Sequence, residues 1–273
     1  MEQNMVQGIG QNPPGLQRSL IQSQNTQQTA AERIGSGKQV NSAGDNAAGL
    51  AIISRLVSQN EGFSQAIRNA VDGVSYAQVA GGTLSTVTDD AQRIRQLSLQ
   101  AANGILSDSD RSTLQSEVSQ LQEGIASRLQ DAQFNGVDLF TSSDKISFQV
   151  GDKANDTIEF AGSDFGSDID ALLTIDVSTQ AGASSALEGV DNFIESVSSR
   201  QGELGAIINR FESTVNNLQT SRINGEQSRS RLQDADIAKE VSDNVRGGIQ
   251  QQAAIALQAQ ANIDSALVLR LLS

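Results

Sequence analysis

The sequence predicts a mainly α protein: an elongated coiled-coil helical bundle with a small β-hairpin region, its N- and C-terminal helices paired. Three observations carry that expectation. From Ala186 to about Arg222, alternate steps of four and three land on Val190, Ile194, Val197, Gln201, Leu204, Ile208, Phe211, Val215, Leu218 and Arg222. Nearly all are apolar, and a recurrence every 3.5 residues is the heptad spacing of a supercoiled helix. Aromatic residues make up only 3% of the 273, with no Trp, which suits long thin bundles better than a thick globular core. Between Lys145 and Phe160 the apolar period shortens to two, the spacing of strands.

The elements follow in order. Residues 1–40 are polar and rich in Gln and Asn, and Pro13-Pro14 prevents a helix through that point. A helix is predicted from Leu16 to Arg33, ended by the breakers Gly35-Ser36-Gly37. Ser42 and Asp45 match a capping box, with Asp45 or Asn46 as alternative caps for a helix from Ala47 to about Asn103. The pair Gly81-Gly82 is expected to bend or thin it. Ser107-Asp108-Ser109-Asp110 caps a third helix, about Asp110 to Gln133, striped by Leu114, Val118, Leu121, Ile125 and Leu129.

Lys145–Val150 and Thr157–Phe160 then read as a hairpin, and Leu173–Val177 as a further short strand. The helix striped from Val190 is expected to stop near Asn224-Gly225, with a polar stretch before a last helix from about Asp234. That helix places Val241, Val245, Ile249, Ala253, Ala256, Ile263 and Leu267 on one face, and carries Ile255, Leu257, Val268, Leu269, Leu271 and Leu272 elsewhere. The weakly amphipathic N-terminal segment cannot cover so much apolar surface, so copies of the chain must. The expected division is an inner terminal domain of residues 1–44 and 230–273, and a bundle of residues 45–229 with its hairpin region at about 140–180.

Composition narrows function. The net charge of -13 and the lack of any extended Lys/Arg run exclude a phosphate-binding surface, so no nucleic acid is expected. Without Cys or His there is no thiolate or imidazole metal site and no Ser-His-Asp triad. Carboxylate, Lys or Tyr chemistry stays formally open, so composition makes an enzyme only the less expected class; the chain is read as no enzyme, with no cofactor and no metal. No run of 18 uncharged apolar residues predicts membrane insertion, and Met1-Glu2-Gln3-Asn4 opens no signal peptide. Gly35-Ser36-Gly37-Lys38 lacks the upstream Gly and the following Ser or Thr of a phosphate loop. Asp164, Asp168 and Asp170 lack EF-hand spacing and read as turn and cap residues. In the stretch Gln92–Gln100, Arg93 and Leu97 share a helix face, and Asp89 lies one turn before Arg93.

Glu32–Ile52, Gln92–Gly104 continuing through Phe134–Phe140, and Ser228–Asn244 with the Ala/Gln-rich end together resemble bacterial flagellins, in order and across essentially the whole chain. The resemblance implies a structural subunit that polymerises into the flagellar filament for swimming motility. It further implies a short form with little or no outer domain, extracellular after type III export without a cleaved signal. Its partners would be copies of itself, an export chaperone, the filament cap and hook-junction proteins. A host Toll-like receptor would read a patch mapping to Arg93, Leu97 and Glu117, where Gln96 and Ser98 depart from the family's usual Glu and Ala. Assembly at the filament core would rest on Ile249, Ala253, Ala256, Ile263, Leu267 and Leu271. A hook–filament junction protein shares these terminal helices, and a type III translocator shares the acidic, Cys-free helical character.

Overall fold

The computed structural model describes residues 14–272, with side chains described from 15 to 264. Helices α1 (Pro14–Ser36), α2 (Ala43–Ala101) and α3 (Asp108–Asp131) lead into six short strands: β1 (Gln133–Phe134), β2 (Val137–Asp138), β3 (Thr141–Ser142), β4 (Ile146–Gln149), β5 (Thr157–Phe160) and β6 (Ser163–Asp164). Helices α4 (Gly166–Leu173), α5 (Gln180–Gln233) and α6 (Ile237–Leu272) complete the chain. It divides into two compact units, Met1–Ser58 with Asn224–Ser273, and Gln59–Ile223.

In the first unit Pro14 opens α1, where its missing N–H costs nothing; Pro13 lies outside the described residues. Gly37, at φ +68°, takes the left-handed position that closes α1, and its N–H donates to Arg33 O at 2.8 Å. The connecting segments pair briefly: Gln39 N donates to Gln233 O and Ala235 N to Gly37 O. Asn46 is the true cap of the long second helix, since it leaves helical geometry and its Oδ1 accepts from Gly49 N at 2.8 Å. Asp45 instead binds the backbone N–H groups of Ser42 and Asn41, which hold its carboxyl below the usual value. Asp236 Oδ1 caps α6, accepting from Ala238 N and Lys239 N.

The second unit is built on α2, α3 and α5. The α5 stripe is buried at Val190, Val197, Leu204, Phe211 and Leu218; the first three share a core with Ala77, Leu84, Val87, Ala91 and Ile94 of α2, and Phe211 packs in a smaller cluster with Ala70, Val150 and Ile158. Small Ala positions let the helices approach, and Gly73 does so most closely: a Cβ there would stand 2.5 Å from the Phe211 ring. Gly81 and Gly82 meet nothing, and α2 runs through them with helical dihedrals instead of bending. Ser107 caps α3 in a reciprocal box with Asp110, whose carboxyl is held below 3.8 by the Ser107 hydroxyl. Buried Arg111 donates to Ala101 O and Asn103 O, both at 3.0 Å, satisfying the last carbonyls of α2 and fixing the turn to α3.

The expected hairpin is present, with Ile146 opposite Phe160 and Phe148 opposite Ile158. Two pairings were not expected from the sequence. In β1–β2 the loop is Asn135-Gly136, both at positive φ, the two-residue turn that suits a twisted hairpin. β3 pairs with β6, and Gly162 beside it has no room for a Cβ, which would fall 2.3 Å from Asp144 O.

Two further expectations fail. Leu173–Val177 forms no strand. Its backbone is bound by α3 side chains instead, Gln122 donating to Leu172 O and Ile175 O and Gln115 accepting from Val177 N. The preceding residues turn into α4, whose Ile169 and Leu172 are buried. And Asn224-Gly225 does not end α5, which reaches Gln233: Ser228 back-bonds to Asn224 O, and Glu226–Arg229 and Ser230–Asp234 pairs support the following turns.

Gly73→Ala should lower stability to unfolding by about 1–3 kcal/mol through overpacking on Phe211, whereas Gly82→Ala should raise it by up to about 1 kcal/mol; urea titration of the two variants separates them. Because Asp110 binds protons less readily folded than unfolded, its contribution is complete above the ordinary carboxylate pKa and disappears as pH falls below it. Asp110→Asn should therefore shrink the loss of stability between about pH 5 and pH 3.

Candidate assembly interface

The first unit has one large unmet apolar demand, on α6. Its buried positions are Glu240, Gly247 and Ala254, with Asn244, Gln251, Gln258 and Ala261 half-buried between them. These recur in steps of four and three, but they are small or polar. They meet a matching series on α1: Leu20, Ser23, Gln27, Ala30 and Ile34. Gly247 leaves only Cβ room above Ser23 O and Gln27, Asn244 Nδ2 donates to Gln27 O at 3.4 Å, and Arg33 Nη1 lies 3.4 Å from Glu240 Oε1. Close backbone approach through Gly, with backbone carbonyls accepting from side chains, holds this pair.

The apolar stripe lies one or two residues further on, about 100–200° around the helix, and it faces away from α1. Val241 is 43% exposed, Val245 56%, Ile249 63% and Ile263 55%; Ala253 and Ala256 are exposed with them. Leu267 and Leu271 lie beyond the described side chains. Five of the six terminal-helix positions singled out in the sequence come after Ile249 on the same helix, and the four that are described form one outward surface.

In the second unit Arg93 and Glu117 face each other across α2 and α3. Arg93 Nη2 and Nε reach Glu117 Oε1 at 2.7 and 3.0 Å, and both side chains are about half exposed. Arg93 thus pairs with Glu117 and not with Asp89. Leu97 is not surface: it is 2% exposed and belongs to the core, so it supports this face from beneath. The reason lies in α2's stripe, where Leu97 continues Leu84, Val87, Ala91 and Ile94. Flanking pairs, Arg128 with Asp90 and Arg95 with Asp191 at 2.6 Å, add charge of both signs to the same helix. Asp164 accepts from Gly166 N and Asp168 from Ser196 Oγ, turn and side-chain contacts at the start of α4. Arg111, which closes α2, escaped notice because a single Arg near a capping box has no sequence signature.

Leu97→Ala should cost about 2–5 kcal/mol by opening the core, while Arg93→Gln or Glu117→Gln should each cost less than about 1 kcal/mol. Equal effects in denaturant unfolding would mean Leu97 is not buried as described.

Comparison with known proteins places this frame. The model of the bacterial flagellin N-terminal helical region matches residues 14–145, and that of the C-terminal helical region residues 187–272. A flagellin of Halalkalibacterium halodurans is 36% identical over 97% of this chain and 99% of its own length. The flagellar filament 30.7 kDa core protein of Treponema maltophilum is 34% identical over 89% of this chain and 90% of its own. Bacillus subtilis flagellin is 33% identical over 93% and 95%. The crystal structure of Bacillus cereus flagellin superposes with a TM-score of 0.52 at 27% identity, covering 55% of this chain and 88% of that one. A putative flagellar hook-associated protein from Vibrio parahaemolyticus shares the fold, with a TM-score of 0.59 at 17% identity over 70% of this chain and all of that one. With both halves of the helical frame matched in order, and relatives aligned over most of their own length, the chain belongs to the bacterial flagellin family.

Proposed function

We propose that this flagellin acts as a flagellar filament subunit whose assembly is driven by the outward stripe of α6. One observation carries the reading: α6 pairs with α1 through small and polar residues, leaving Val241, Val245, Ile249 and Ile263 turned outward. Each such side chain gains on the order of 1.5–3 kcal/mol when fully buried, and a second copy is the partner a homopolymer supplies. A contact between different surfaces of successive copies gives an open helix of subunits, and such a polymer serves swimming when turned. The role is structural.

The finer partners follow from the same stripe. An export chaperone would cover it before assembly, and cap and hook-junction proteins would meet the ends of the polymer. Export through a type III route, without a cleaved signal, suits a chain whose terminal helices gain their apolar cover only on assembly. The paired Arg93 and Glu117, set over buried Leu97, offer a host Toll-like receptor a polar surface of fixed geometry. The junction-protein alternative rests on fold alone, and no helix among the described residues is long and apolar enough to cross a membrane, as a translocator requires.

Val245→Asp with Ile249→Asp should raise the critical concentration for seeded polymerisation by at least about a hundredfold, reading each buried carboxylate as about 1.4 kcal/mol or more lost. The second unit should unfold at an unchanged midpoint. Sedimentation and negative-stain microscopy read the first, calorimetry the second. Polymers formed by the double variant at the original concentration would exclude the stripe as the driving surface.

A further inference from the structure

We propose that Asn103 is a site of spontaneous backbone modification, where the Gly104 nitrogen displaces the side-chain amide and leaves an isoaspartate in the turn between α2 and α3. The sequence holds three Asn-Gly pairs: Asn103-Gly104, Asn135-Gly136 and Asn224-Gly225. None has a Cβ on its second residue to hinder attack, so in an unfolded chain the three react comparably. The fold makes them unequal. Asn224-Gly225 lies inside α5, where the Gly225 N–H is spent on a carbonyl one turn back. Asn135 is left-handed, at φ +50°, and the pairing of β1 with β2 on either side holds it there. In that region ψ is about +30 to +60°, which sets the Asn135 Cβ nearly opposite the Gly136 nitrogen across the Cα–C bond. Neither nitrogen reaches its side-chain carbon unless the local fold opens.

Asn103 is placed differently. It lies beyond the end of α2 and is exposed together with Gly104. Among the described residues the Gly104 N–H donates to no protein group. Both reacting groups are also polarised by their neighbours. Ile105 N donates to Asn103 Oδ1 at 3.3 Å, which draws electrons from the side-chain amide carbon. Arg111 Nη2 donates to Asn103 O at 3.0 Å, and that oxygen belongs to the peptide whose nitrogen must lose its proton. Arg111 is buried, so its charge acts there with little screening by water, and a cation on the carbonyl oxygen makes the N–H more acidic.

The Gly104 nitrogen, its proton lost to water, bonds to Asn103 Cγ. The Cγ–Nδ2 bond breaks, ammonia leaves, and a cyclic succinimide closes. Water then opens the ring at either carbonyl. Opening at the former backbone carbonyl routes the chain through Cγ and frees an α-carboxylate, one oxygen of which is the Asn103 O that Arg111 already holds. The charge-assisted bond so formed favours isoaspartate over aspartate. The turn between α2 and α3 gains a backbone methylene and a negative charge.

Peptide mapping by mass spectrometry of the full-length protein, kept folded at neutral pH, should show isoaspartate gathering at Asn103 at least about tenfold faster than at Asn135 or Asn224. In urea the three rates should fall within about threefold of one another. Arg111→Gln, which keeps N–H donors but loses the charge, should slow conversion at Asn103 alone, and Arg111→Lys should restore it. A folded-state rate at Asn103 no higher than at the other two pairs would overturn the assignment. So would the same ranking in urea, since the preference would then belong to the local sequence and not to the fold. A rate that rises in Arg111→Gln would show that the turn restrains the reaction, and would overturn the part given to Arg111.

Discussion

The structure turns on the choice of face that α6 offers α1. A helix so rich in Val, Ile and Leu would ordinarily bury those residues first, since each gives more free energy than an Ala or Gly in the same place. Here α1 presents Ser23, Gln27 and Ala30 between Leu20 and Ile34, a surface whose middle returns little to a large apolar side chain. Gly247 and Ala254 can approach it closely, and Asn244 can donate to its backbone. The buried Glu240 carboxylate, 4% exposed, is tolerated because Arg33 stands beside it. The pair is thus closed largely by small and polar residues, and α1 leaves the apolar stripe uncovered.

How much of this was legible in the sequence depended on where the information resided. The α5 stripe could be read outright, because Val190 to Leu218 keep one period and meet helices of the same chain. The exposure of the α6 stripe was legible too, as an excess of apolar surface over the cover that α1 can give. Which face would meet α1 was less so: Glu240 and Val241 are neighbours in sequence, and only close packing at Gly247 decides between them. Leu97 sits at a similar boundary. Spacing showed that it shares a face with Arg93, but a face four residues wide spans both the edge of the core and the surface.

Other features were hidden because their hydrogen bonds are long-range. Nothing local in Leu173–Val177 reveals that Gln115 and Gln122, more than 40 residues earlier, would take up its backbone and deny it a strand partner. Arg111 closes a helix that ended before it. At Asn224-Gly225 the propensity argument was sound for an isolated peptide, where Gly costs about 1 kcal/mol. Side-chain bonds over the next three turns outweigh it.

Charge separates the two units as sharply as apolar exposure does. The first, Met1–Ser58 with Asn224–Ser273, carries nine basic and nine acidic residues, whereas Gln59–Ile223 carries ten basic and 23 acidic. The entire net charge of -13 therefore falls on the second unit. Copies joined through a neutral apolar stripe bring no net like charge together at the point of contact. The repulsion among second units is long-range and is screened beyond about 8 Å at physiological ionic strength. Such repulsion opposes indiscriminate sticking of one polymer to another while leaving the short-range attraction of Val241, Val245 and Ile249 nearly intact. On the proposed reading a single chain assigns association to one set of residues and solubility to another, and neither requirement has to be met at the expense of the other.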